Sequence, residues 1–275
     1  TNELRFYPIS DESREMLEYL NKLYSEGLIE QNIYSISVDQ YLANAQEGLY
    51  GATVFFNPIE LFGEEIGSKY VGGNALEGPF GDKMYAGVTS PLFQIGNFAI
   101  TSENKHPEAT VRWMDYFFSD EGAKMFFMGI EGVTYEETPD GPVLKDEIVN
   151  SPDGLTVTQE LAKYLINPGG GHPVMIEEDY FTGSEANPAD IEVAEKLSEY
   201  LPEEVWPTFT FTEEENNELT NYSDISKYVD EMQAKFITGE IPFSEWDDYV
   251  KTIEDLGLEE YMRIQEQAYN RYLEN

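Results

Sequence analysis

The sequence contains no cysteine, which excludes disulfides, thiolate nucleophiles and cysteine-ligated zinc. It has two histidines, His106 and His172, and neither has a second histidine at ligand spacing. Histidine-based nucleophilic triads and transition-metal sites therefore lack raw material. Basic residues are scarce: Lys and Arg total 16 against 54 Asp and Glu, leaving a net charge of −38. Such a field repels phosphates, so neither nucleic acid nor an anionic membrane surface is expected as a partner. No window holds the roughly 18 apolar residues of a membrane span, and no stretch reads as a signal peptide. Tryptophan is sparse, at three residues.

What is present is a soluble, aromatic-rich composition. Apolar residues make up 41% of the 275, with 19 Tyr and 16 Phe, and the mean hydropathy is −0.46. That suffices for one large or two modest domains with a real core. Paired carboxylates are the raw material of a glycosidase, which holds two about 5–10 Å apart. With 54 acidic residues, chance pairs arise everywhere and none is diagnostic. Glu177-Glu178-Asp179 offers oxygen ligands but no D-x-D/N-x-D/N-G loop, so it reads as a solvated run and no metal or cofactor is expected. The GGNALEG stretch at Gly72 lacks the preceding strand and following capped helix of a phosphate cradle.

The informative centre runs from Ile95 to Phe127. Ile95, Phe98, Ala99 and Ile100 predict a short buried strand. Pro107 suits a first helical position, and Ala109, Trp113 and Phe117 then share one face, widened by Met114 and Phe118. Ser119 can cap a second helix that Gly129 ends. Trp113 and, later, Trp246 are assigned to cores by this periodicity. His106, just before Pro107, reads as a cap or surface residue.

Around this centre, a strand is expected at Leu4–Tyr7. A helix capped by Ser10 follows, carrying Met16, Leu17, Leu20, Leu23 and Tyr24 and closed by Gly27. A short helix from Asp39 to Gln46 and an apolar strand from Ala52 to Phe56 come next, the strand stopped by Asn57-Pro58. Further expectations are a strand at Tyr85–Thr89, a hairpin-like loop around Pro139 to Pro142, and helices at Leu155–Leu165 and Ile191–Tyr200. The last third is helical. Thr212 to Glu215 forms a capping box, Tyr222, Ile225, Val229, Met232 and Phe236 share a face, and Ser244 caps a helix with Trp246, Tyr249, Val250 and Ile253 inward. Tyr261, Ile264, Ala268, Tyr269 and Tyr272 mark the final helix.

Three stretches carry a family resemblance. FAITSENKHPEATVRWMDYFFSDEGAKMFFMGIEG combines a strand, S/T-x-x-x-K-x-P-E-A, an aromatic-rich helix, S-x-E-G and G-I/V-E-G. REMLEYLNKLYSEGLIEQ near the start and AKFITGEIPFSEWDDYVKTIEDLGLEEYMRIQEQAYNRYL at the end add to it. Together they resemble bacterial extracellular solute-binding proteins of the family 1 type, the carbohydrate-capturing components of ABC importers, in particular the large lipoproteins of Gram-positive bacteria.

The resemblance implies an α/β, periplasmic-binding-protein-like type II fold, with two lobes, a hinge and a ligand cleft between them. Residues 1–84 and 206–275 are expected in the C-terminal lobe, and 85–205 in a return to the N-terminal lobe with a cleft-lining insert. Family members carry a large segment before the equivalent of Asn2, so the chain is expected to be a C-terminal portion that binds ligand weakly or not at all by itself. The implied partners are an oligosaccharide or other small solute and ABC permease subunits, with membrane contact only through an N-terminal lipid anchor outside this chain. The implied location is the extracellular face of the cell membrane, and no catalysis is implied.

A pyranose offers an apolar C–H face to aromatic rings and hydroxyls to amides and acids. The family pattern implies as ligand-binding candidates Phe56 and Asn57 after the cleft strand, Tyr180 and Phe181 after the Gly-rich loop, and Trp206; His172 joins them because the three glycines before it permit close approach to a ligand. The Trp that the family usually places near Phe56 is absent. A secreted glycosidase and a lipoprotein interaction or sensor module are the alternatives. The first predicts turnover of a chromogenic glycoside, the second a protein partner whose capture ignores sugar.

Overall fold

Side-chain caps set where many of the helices begin. The computed structural model describes residues 3–55, 57–88, 98–139, 141–166, 180, 188–206 and 208–274. In chain order the elements are α1 (Asp11–Ser25), α2 (Val38–Gln46), α3 (Pro58–Phe62), α4 (Glu64–Gly67), α5 (Pro107–Tyr116), α6 (Asp120–Met128), β1 (Tyr135–Thr138), β2 (Gly141–Leu144), α7 (Asp146–Val149), α8 (Val157–Leu161), α9 (Pro188–Ser198), α10 (Glu213–Leu219), α11 (Ser223–Thr238), α12 (Trp246–Asp255) and α13 (Leu258–Leu273). Ser10, Asn57 and Ser119 accept from backbone N–H groups at the starts of α1, α3 and α6. Thr156 with Gln159 and Thr212 with Glu215 form reciprocal capping boxes.

The chain separates into two compact units, Thr1–Ser37 with Thr208–Asn275, and Val38–Pro207. In the first, α1 lies along α11. Leu17, Ile225, Val229, Phe236, Trp246, Tyr249 and Ile253 form its core. These are the inward positions expected of α1, α11 and α12. Asn21 Nδ2 donates to the carbonyls of Phe236 and Ile237, each at 3.1 Å. It thereby satisfies acceptors that the end of α11 leaves open. The buried Tyr249 hydroxyl donates to the Pro8 carbonyl at 3.1 Å, and burial pushes its pKa well up. Gly239 adopts the left-handed conformation that ends α11.

The second unit holds two smaller cores. Ala45, Leu61 and Phe62 gather Tyr41, Leu42, Tyr50, Ile66 and Tyr70. Ala123, Phe127, Met128 and Tyr135 gather Phe117, Phe126, Leu144 and Tyr180. β1 and β2 form the expected hairpin, with Tyr135 opposite Leu144 and Thr138 opposite Gly141. The buried Thr134 staples the preceding turn: its Oγ1 donates to the Met128 carbonyl and accepts from Ile130 N–H at 2.7 Å.

Several expected elements differ. Leu4 to Phe6 form no strand and lead into a 3-10 turn at Tyr7–Ile9. Residues 52–55 are not in a strand, and Val54 is 95% exposed. Residues 85–88 and 98–100 are likewise not in strands, and the rest of those two expected strands lies outside the described residues. The reason is pairing: an apolar run becomes a strand only beside another, and the one sheet among the described residues is β1–β2. Trp113 is 59% exposed, so its assignment to a core is overturned, whereas Trp246 is buried as expected. Ser244 sits inside a 3-10 turn, Phe243–Glu245, and does not cap α12. The helix expected over Leu155–Leu165 is confined to α8.

Candidate functional site

In the second unit, α9 forms one wall of a groove of about 460 Å³. Glu192, Glu195 and Lys196 line it from one face of α9, with Glu199 and Tyr200 just beyond the helix. Asn74 and Lys83 line it from the 72–85 segment. Lys83 Nζ lies 4.5 Å from the centroid of the Tyr200 ring, a cation–π contact. Lys196 Nζ pairs with Glu192 at 2.6 Å, and this hydrogen bond holds the Glu192 carboxyl below the usual range.

Among the described residues, contacts at its start, middle and end hold α9 against the rest of the unit. At its first turn, Asp190 Oδ2 accepts from Asn57 Nδ2 at 2.5 Å. In its middle, Val193 packs on Gly72 so closely that a Cβ added to that glycine would lie 2.1 Å from Val193 Cγ2. Just past its end, the Tyr200 carbonyl accepts from Tyr85 N–H at 2.7 Å. The groove has a volume within the range of small-ligand sites and combines a ring, an amide, acids and amines.

The sequence candidates fall in different places. Asn57 is 3% exposed; its Oδ1 caps α3 through Ile59 and Glu60 N–H, and its amide reaches α9. It supports one wall of the groove. Tyr180 lies against the α6–hairpin core, its hydroxyl donating to the Asp120 carboxylate. That bond raises the Tyr180 pKa and lowers that of Asp120. Lys124 Nζ sits 5.2 Å from the Tyr180 ring centroid and donates to Glu137 at 3.0 Å. The hydrogen bond to Glu137 leads in pushing the Lys124 pKa up. Trp206 is exposed over 40% of its surface and donates from Nε1 to Glu204 at 2.8 Å. Phe56, His172 and Phe181, like Glu177 to Asp179, lie outside the described residues. Asn57 and Tyr180 thus belong to separate clusters.

Beside Asn57, aromatic rings are engaged with one another. Tyr41 stacks on Tyr50 at 5.3 Å, Phe62 on Tyr70 at 4.0 Å, and Phe55 approaches Tyr41 at 6.5 Å. Sequence reasoning missed Lys83, Glu195, Glu199 and Tyr200. The helix expected over Ile191–Tyr200 carries no functional expectation; the signal that could have marked this face is the Gly72-Gly73 pair, which admits a helix at close range.

A larger hollow of about 640 Å³ lies between α10 and α13 in the first unit. Its arginines are committed: Arg263 pairs with Glu218 and Glu260, and Arg271 with Glu215 and the Thr210 carbonyl. Among the described residues no cluster of His, Asp and Glu is placed to hold a metal ion, and His106 makes no side-chain cap. No described helix is long and apolar enough to cross a membrane.

No family model matches the chain. It is 24% identical over 278 residues to the fructooligosaccharide ABC transporter substrate-binding protein FusA of Streptococcus pneumoniae, covering 97% of this chain and 50% of FusA. The solved structure of FusA in complex with kestose superposes with a TM-score of 0.75 at 22% identity, over 98% of this chain and 56% of that one. The alginate-binding protein AlgQ2 gives a TM-score of 0.74 at 22% identity, with the same coverage. A human-milk-oligosaccharide-binding solute-binding protein of Bifidobacterium longum infantis gives 0.69 at 20%. The fold is therefore that of the periplasmic-binding-protein-like solute-binding proteins, as the sequence implied. The chain spans about half the length of these relatives.

Proposed function

We propose that this chain is part of the substrate-binding component of an ABC importer that captures an oligosaccharide or a related solute. The observation that carries the reading is similarity over 97% of the chain to a fructooligosaccharide-binding relative, joined to a fold shared with other saccharide-binding proteins. Capture works by hinge closure: both lobes touch the ligand only when shut, so ligand shifts the open–closed population and no bond is made or broken. Residues 1–84 and 206–275 belong to one lobe, and 85–205 include the return to the other. Asn57, Tyr180 and Trp206, with Phe56, His172 and Phe181, face or support the cleft. Permease subunits receive the solute at the extracellular face of the membrane, where a lipid anchor outside this chain holds the protein.

Since the relatives are about twice as long, the other half of the cleft comes from polypeptide equivalent to their remaining half. Isothermal titration against an oligosaccharide panel tests this, using the chain alone and the chain joined to such a segment. Tight binding by the joined protein and binding weaker by roughly a hundredfold in the chain alone is expected. Equal, tight binding by both would refute the divided cleft, and no binding by the joined protein would refute solute capture.

A further inference from the structure

We propose that the groove along α9 is itself a saccharide subsite, and that it accepts sugars without acid groups while rejecting uronates. The inference rests on the saccharide-binding reading above and names the class of sugar and the residues that choose it. None of those residues is among the sequence candidates.

The groove is a built feature. Asn57 holds the first turn of α9, Gly72 admits its middle, and Tyr85 N–H holds the carbonyl just past its end. These contacts fix the spacing between Tyr200 and the Asn74–Lys83 wall. Tyr200 supplies a flat apolar face of the kind that the C–H side of a sugar ring covers. Lys83 lies over that ring on a flexible four-carbon stem. It can swing aside and donate to a hydroxyl when a sugar takes its place.

The polar groups decide which sugar. Glu195 and Glu199 have no hydrogen-bond partner for their carboxylates among the described residues, and ionised carboxylates only accept. A sugar hydroxyl has a proton to give them. A uronate carboxylate has none, and it would stand beside Glu192, Glu195 and Glu199. Of the cations, Lys196 is paired with Glu192, Lys83 lies over the Tyr200 ring, and no arginine lines the groove to grip a carboxylate bidentately. Lys83 and the paired Lys196 offset two of the three carboxylates and Asn74 carries no charge, so the lining stays net negative and a uronate would add to that excess.

The test is amide chemical-shift mapping on the 275-residue chain, titrated to tens of millimolar. The probes are kestose and maltotriose as neutral sugars, and trimannuronate as a uronate of equal length. Kestose or maltotriose is expected to shift amides of 74–85 and 192–200, and trimannuronate to leave them in place. Tyr200→Ala should weaken the neutral sugar at least tenfold with the α9 amides otherwise undisturbed. Glu195→Gln with Glu199→Gln should admit trimannuronate. Neutral-sugar shifts confined to other segments, or unaltered affinity in Tyr200→Ala, would overturn the subsite and leave solute capture standing. No shift anywhere overturns the subsite, whereas capture is judged separately by the titration of the joined protein. Equal shifts with trimannuronate would overturn the charge selection.

Discussion

Single side chains in this protein are readable where they lack or share a partner. Ser13 is fully buried on α1, and its hydroxyl has no hydrogen-bond partner. A buried orphan hydroxyl costs about 1–3 kcal/mol, and alanine is the better helix former. Ser13→Ala is therefore expected to stabilise the first unit by roughly 1 kcal/mol, read as a higher urea midpoint at unchanged slope. A lower midpoint would mean that the oxygen is satisfied in solution. Glu215 is the opposite case. It accepts from Thr212 N–H at 2.7 Å and from Arg271 at 2.5 Å, and the backbone bond leads in holding its pKa below the ordinary value. A depressed carboxylate pKa means stability that is full above the unfolded value, about 4.3, and lost as pH falls through the folded one. Acidification from pH 6 to pH 3 should thus weaken the α10–α13 contact. Glu215→Gln keeps the cap bond but not the charge, so its urea midpoint should fall less over that range. An identical fall in both proteins would remove Glu215 as a contributor.

At the scale of elements, the position of α9 depends on one missing side chain. The Cβ of an alanine at Gly72 would meet Val193 Cγ2 at 2.1 Å and Cγ1 at 2.8 Å. Val193 is β-branched and on a helix, so it has little rotamer freedom to retreat. Gly72→Ala should push α9 outward, cost about 1–3 kcal/mol as overpacking does, and raise amide exchange along α9. Adding Val193→Ala should restore most of the loss, which separates a clash from a backbone preference at residue 72. This contact also marks the limit of what the sequence reveals. Caps and stripes are local, so Ser10, Ser119, Thr212 and the buried face of α11 follow from spacing alone, and the structure has them. The same periodicity puts apolar residues on one face of α5 but cannot say what covers them: Met114 is buried, whereas Ala109 and Trp113 stand exposed. Strands depend on partners distant in sequence, which is why the runs at Ala52 and Tyr85 read as strands although residues 52–55 and 85–88 are in none. The groove combines residues 74 and 83 with 192–200, an encounter that no local pattern encodes.

For the whole molecule, charge is the dominant long-range term. With 54 acidic and 16 basic side chains, most carboxylates cannot have a cationic partner. The ion pairs that do form lie largely at the surface, as Arg14–Glu18 and Lys227–Asp224 do. Exposed pairs contribute little, with a median of about 0–1 kcal/mol, and salt weakens them. Salt also screens the repulsion among the unpaired acids, over a Debye length that shrinks from about 30 Å at 0.01 M to about 10 Å at 0.1 M. The two effects oppose each other, and the excess of acids over bases decides the sign: like-charge repulsion destabilises the compact state more than the few pairs support it. Raising sodium chloride from 10 to 300 mM at pH 7.5 should therefore raise the melting temperature by roughly 3–6 °C, the equivalent of ~1–2 kcal/mol. Calorimetry at several salt concentrations would check this. A melting temperature that falls with salt would mean that the scattered pairs outweigh the field.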